Sequence, residues 1–206
     1  RANEPYRRAI SGVYARLAAT AEKLDLGEPP RKPVGAAPPY LGPADFADDL
    51  DIIHQSLESN GLADLADGRL RDLRRAVDCF GFHLTSLDMR QNSSVHEQVI
   101  TELFNAIDAD IDYSRLSEDQ RVDLLVAELR SGRSLLRSGW DYTEDTKSEL
   151  DILQAAAATR QALGEKAITT SIISNTRSVS DILELAVLLK QVNLVTAEGG
   201  CALHIV

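Results

Sequence analysis

Cysteine is nearly missing from this chain: it has two, Cys79 and Cys201, with no CxxC spacing. That excludes a disulfide framework and a thiolate metal site, and it fits a reduced, cytoplasmic compartment. Histidine is sparse too, and His54, His83, His96 and His204 form no pair at metal-ligand spacing and no Ser-His-Asp arrangement. The many aspartates do not cluster as metal ligands, and Gly199-Gly200 is an isolated pair, not a phosphate loop. The opening RANEPYRRAI has neither an initiator Met nor an apolar signal core, and no apolar run reaches membrane-spanning length. Processing, tag removal or excision from a longer chain would each account for that start. Positive charge is in deficit: Lys and Arg total 22 against 32 Asp and Glu, a net charge of -10. A nucleic-acid surface needs clustered cations, so no nucleic-acid partner is expected, and no anionic membrane surface either. A small phosphorylated ligand survives this test, since one or two local arginines can overrule a distant negative field.

What is present is enough for a core: 44% of 206 residues are hydrophobic. Helical spacing runs from Glu4 to about Leu26, and Gly27 to Pro43 (GEPPRKPVGAAPPYLGP) is a proline-rich loop. Helices follow from Ala44 to Ser59 and from Leu70 to Cys79. A strand is expected near residues 81–88, then a helix opened by a capping box at Ser94 to Glu97. Ser117 to Gln120 caps another helix, Arg133 to Trp140 is a loop, and a long alanine-rich helix runs from Thr143 to Gly164. A buried strand is expected near 167–173, a helix capped by Ser178 to Asp181 after it, and a last strand near 202–206. Strands separated by helices predict parallel pairing, so the fold class is α/β and helix-dominated. Three strands make a poor sheet, and the chain reads as one piece, 1–206, of a larger barrel or sheet.

In such folds chemistry collects at the carboxyl ends of the strands. The junction LDMRQNSS offers Arg90, whose fork of donors suits phosphate or carboxylate. Asp88, two residues earlier on an extended chain, would share its side and orient it. Ser93 and Ser94 stand at a helix N-terminus, where free N–H groups favour anions. The bland alternative is an Arg90–Asp88 ion pair at a rim with Ser94 only a cap. His96, in the helix's first turn, faces either the Arg90 pocket or solvent. At the second junction, SNTRSVSD, Arg177 reads equally as an exposed loop residue. His83 and His204 read as strand residues in or near the core, and His54 as an exposed helix residue.

The stretch FGFHLTSLDMRQNSSVHEQVI resembles the segment FGLxLxxLDxRQxSxxH of phosphoenolpyruvate carboxylases, with Leu87, Asp88, Arg90, Gln91, Ser93 and His96 at matching spacing. EPYR at Glu4 to Arg7, LRRAVDCFG, RSGW at Arg137 to Trp140, and IIS…SVSDILELAVLLK from Ile172 to Lys190 also resemble that family, in order along the chain. The resemblance implies a (β/α)8 (TIM-type) barrel with many extra helices, a homotetramer and a cytoplasmic, anaplerotic carbon-fixing enzyme. Its reaction condenses phosphoenolpyruvate with bicarbonate, using Mg or Mn, to give oxaloacetate and phosphate by way of carboxyphosphate and an enolate. Arg90 matches a substrate-phosphate contact; Asp88, Gln91, Ser93 and His96 would stand behind it.

Departures bound the expectation. The family's TAHPTE-like histidine segment and GRGG-like loop do not occur here, and the chain ends before the PLFET-like segment whose Glu binds metal. The metal ligands are therefore expected outside this chain, which would be a central fragment, inactive alone. Asn175 stands where the family often has Met. The alternative is a stand-alone module that binds phosphorylated metabolites, or only a partner, without catalysis.

Overall fold

The computed structural model describes residues 4–206. The chain divides into two compact units: one ends at Thr85 and also takes Ala162–Gly164, and the other holds Ser86–Gln161 and Glu165–Val206.

The first unit is helical. α1 (Pro5–Lys23) and α2 (Pro43–Ser59) each begin on a proline, whose missing N–H costs nothing in a first turn. A short helix α3 (Ala63–Leu65) leads through a turn broken at Gly68 into α4 (Arg71–Phe80). Tyr40, Phe46, Leu50 and Val77 form the core, and Phe82 packs on it. Residues 27–42 of the proline-rich segment form no helix or strand, while Pro43, expected to close the loop, already opens α2; the segment's end is anchored. Tyr40 is 1% exposed, its N–H donates to Thr20 Oγ1 (2.9 Å) and its hydroxyl to Asp49 Oδ2 (2.7 Å). Arg16 lies over the Tyr40 ring and pairs with Asp45 and Asp49.

The second unit carries the sheet: β1 (Leu87–Asn92), β2 (Ile168–Ser174) and β3 (His204–Ile205), parallel and in the order β1-β2-β3. Around it stand α5 (Ser93–Ile107), α6 (Glu118–Arg130), α7 (Glu144–Leu163) and α8 (Val179–Gln191). Ile100, Leu103, Phe104, Leu125, Leu188 and Leu189 are fully buried, which puts the core between α5, α6 and α8. Each such side chain contributes about 1.5–3 kcal/mol of burial. The molecule is thus a helix-dominated α/β chain with a small parallel sheet.

The first strand lies later than expected. Near 81–88 the apolar letters read as a strand, yet Gly81 and Leu84 adopt positive φ (50° and 62°) and the segment turns. Phe82 spends its apolar surface on the first unit's core, so the pleat starts only at Leu87. His83 accordingly sits in a turn, not a strand. The helix that follows is also capped earlier: Asn92 Oδ1 accepts from the Ser94 N–H (3.1 Å), in place of the expected box beginning at Ser94. The box at Ser117–Gln120 forms as expected.

Candidate functional site

Strand pleat decides which side chains share a surface. In-register pairing places Asp88 beside Thr170 and His204, Arg90 beside Ile172, and Asn92 beside Ser174. This face of the sheet is polar and open: Asp88, Arg90 and His204 are exposed. The opposite face presents Met89, Gln91, Ser171 and Ile173 toward the helices, and Ser171 and Ile173 are buried. Arg90 therefore sits one pleat inside the strand end rather than at its tip. His204, read from sequence as a core residue, lies on the open face because its register partner Thr170 does.

Asp88 and Arg90 share the face, as extended geometry requires, but no ion pair or hydrogen bond joins them among the described residues. The rim ion pair considered from sequence is not formed. Among the described residues Arg90 has no anionic side-chain partner; it lies beside Ile172 on a face that also carries Asp88, Thr170, Ser174 and His204, with its five donors available. The two strand ends are flush, Asn92 opposite Ser174, so the two βα junctions lie side by side. Ser93, 8% exposed, ties them: its Oγ donates to the Asn175 carbonyl (3.1 Å). Asn175 itself holds a left-handed backbone (φ 62°), which Asn tolerates better than most residues. Arg177 is exposed; its N–H and that of Ser178 donate to Asp181 Oδ2, which fixes the start of α8.

Behind the strand lies a polar network that sequence did not announce. Gln91 Oε1 accepts from the Asn92 N–H (2.8 Å) and its Nε2 donates to Glu149 Oε2 (2.8 Å). Glu149 is 4% exposed; its Oε1 stands 3.7 Å from His96 Nε2. His96 is 1% exposed, and its Nδ1 has no partner. Burial lowers the imidazole's pKa to about 4, against a smaller opposing pull from Asp181, so His96 is neutral at pH 7. The contact with Glu149 is therefore not an ion pair. Arg90, Gln91, His96, Glu149 and Leu153 line one cavity of about 340 Å³. Glu149 had no sequence signal beyond its place on the buried stripe Thr146, Glu149, Leu153, Ala156, and it stands 58 positions from Gln91. Of the sequence candidates, Arg90 and Asp88 occupy the open face, while Gln91 and His96 meet through Glu149 on the other side.

Among the described residues no group of three or more His, Cys, Asp or Glu side chains is placed to hold a metal ion. No described helix is long and apolar enough to cross a membrane.

Fold and site together define an α/β protein that presents an arginine, without an ion-pair partner among the described residues, on the open face of a parallel sheet near the carboxyl ends of the strands. Comparison with known proteins sharpens the class. The family model described as phosphoenolpyruvate carboxylase matches residues 1–206, and the chain belongs to that family. Curated relatives named phosphoenolpyruvate carboxylase include one from Rhodopseudomonas palustris, 53% identical over 203 residues, 98% of this chain and 22% of the relative. Another, from Bradyrhizobium diazoefficiens, is 50% identical over 206 residues, all of this chain and 22% of the relative. One from Aromatoleum aromaticum is 53% identical over 194 residues, 94% of this chain and 21% of the relative. The chain thus spans about a fifth of the length of the curated relatives it matches.

Proposed function

We propose that this chain is a central part of a phosphoenolpyruvate carboxylase, a lyase-class enzyme that joins phosphoenolpyruvate and bicarbonate to form oxaloacetate and phosphate. Family membership along the whole chain is the observation that carries this reading. Within it, Arg90 is the residue that meets the substrate phosphate. Its guanidinium is a planar fork of donors, has no ion-pair partner among the described residues, and lies on the open face of the sheet. Two parallel N–H donors facing two phosphate oxygens would fix the phosphoryl group and neutralise charge as it is transferred. Asp88 and Asn92 flank it on the same face, and Gln91, Ser93 and His96 support the strand and helix behind it.

Among the described residues no further strand pairs with the outer edges of β1 and β3, and this supports a second element of the reading. In the complete protein other strands continue this sheet into a (β/α)8 barrel, and the open polar face becomes its interior. The Mg or Mn ion, the TAHPTE-like histidine segment, tetramer contacts and a cytoplasmic setting belong to that complete protein. The bound ion would supply Lewis-acid stabilisation of an enolate oxygen. The test is oxaloacetate formation by the full-length protein, followed through coupled NADH oxidation. The full-length protein is expected to require both phosphoenolpyruvate and bicarbonate, and residues 1–206 alone to produce none. Turnover by the isolated chain, or a full-length protein without carboxylation, would overturn the assignment.

A further inference from the structure

Arg90 and Gln91 are consecutive on one strand and project to opposite faces, so a clamp on one sets the orientation of the other. Gln91 is clamped at both ends of its carboxamide: Oε1 holds the Asn92 N–H, and Nε2 holds Glu149 Oε2. Glu149 in turn is built into α7, whose own position is fixed on α5. There the N–H and hydroxyl of Thr143 donate to the two oxygens of Glu102, each at 2.8 Å. A carboxylate that is 4% exposed needs its donors. Gln91 Nε2 is within hydrogen-bond distance, and His96 Nε2 is farther off at 3.7 Å. Among the described residues no cationic side chain pairs with Glu149, so its hydrogen bond with Gln91 is a specific link between β1 and α7.

We propose that Glu149 is a positioning residue for Arg90, acting through Gln91 to set the rotation and height of β1 against α7. The inference rests on Arg90 being the phosphate ligand. Losing the link frees β1 to shift, and a displacement near 1 Å in a substrate clamp is enough for up to about a hundredfold effect. The consequence falls on substrate binding, because Glu149 bonds Gln91 and not Arg90, although Glu149 and Arg90 line the same cavity.

The experiment is a double-mutant cycle in the full-length protein, with steady-state kinetics against phosphoenolpyruvate. Glu149→Leu is expected to raise KM about tenfold with kcat changed by less than about threefold. Glu149→Gln keeps an acceptor for Gln91 and is expected to restore KM to within about twofold. In an Arg90→Gln background, Glu149→Leu is expected to move KM by less than about twofold, since it then has nothing to position. Equal KM effects in both backgrounds, or an unchanged KM for Glu149→Leu, would overturn the inference while leaving Arg90's role intact. An Arg90→Gln protein with unchanged KM would instead overturn the phosphate reading itself. Should Glu149→Leu fail to fold, Gln91→Met removes the same hydrogen bond and enters the same cycle with the same expectations.

Discussion

Glu128 offers the sharpest test of how the second unit is held together. It is 2% exposed on α6 and carries two cations. Arg133 donates through Nε (2.9 Å) and Nη2 (2.7 Å) to Oε2, and Lys190 on α8 donates to Oε1 (3.0 Å) and to the Glu128 carbonyl (2.6 Å). The two cations differ in surroundings: the Lys190 side chain is 9% exposed and that of Arg133 is 52% exposed. Removing one partner of a buried pair strands the other and costs about 3–5 kcal/mol, whereas an exposed pair is worth about 1 kcal/mol or less. Glu128→Ala should therefore cost about 3–5 kcal/mol, because it strands the buried ammonium of Lys190. Arg133→Ala should cost about 1 kcal/mol, because Lys190 still satisfies Glu128 and water replaces the lost fork. Amide hydrogen exchange of α6 and α8 in the full-length protein reads local opening directly. Since about 1.4 kcal/mol is a factor of ten, Glu128→Ala should speed exchange there by at least about a hundredfold and Arg133→Ala by about fivefold. Equal acceleration in the two variants would refute the claim that burial of Lys190 sets the cost.

Two buried groups carry opposite pH dependence. His96 has its pKa lowered to about 4 by burial, so the unfolded chain binds the extra proton between about pH 6.5 and 4, and stability falls on acidification through that window. Glu184, 0% exposed, has its pKa raised to about 7, chiefly by burial and helped by nearby Glu97, despite a hydrogen bond from Tyr113 (2.8 Å). The folded chain binds that proton, so stability falls as pH rises from about 4.5 to 7. Each effect is worth about 3 kcal/mol at its limit, and in the native protein they largely cancel. Relative to the native protein, Glu184→Gln should lose stability toward pH 4.5, and His96→Asn should lose it toward pH 7; thermal melts across pH with parallel slopes for both variants would contradict this. Leu103→Ala, at a fully buried position between α5 and its neighbours, should cost about 2–5 kcal/mol through the cavity it leaves, read as faster exchange in α5. A change under about 1 kcal/mol would mean that the site collapses.

Much of the layout was legible because the local signals were strong. Helix starts at Pro5 and Pro43, the box at Ser117 and the β-branched run of β2 each declare themselves within a few residues. β1 did not, because none of its residues is buried: Asp88 and Arg90 are exposed on one face, and on the other Leu87 is exposed while Met89 and Gln91 are half-buried, so its apolar alternation is nearly erased. The apolar run before it is a turn whose Phe82 serves another core. His96 illustrates the same limit: its burial depends on Glu149, 53 positions later in the chain, and helix periodicity alone leaves it between pocket and solvent. Spacing singled out Arg90 but put it at the junction after a strand near 81–88, whereas it lies inside β1; the amide–carboxylate link behind it had no signal, since that pairing exists only once α7 packs beside β1.

The most direct measurement is the phosphoenolpyruvate KM of the full-length protein carrying Arg90→Gln. Loss of a charge-assisted contact to phosphate is worth about 1.5–3 kcal/mol, so KM should rise by about ten- to a hundredfold, with bicarbonate dependence little changed. An Arg90→Gln protein with native KM and kcat would contradict the placement of the substrate phosphate on this strand.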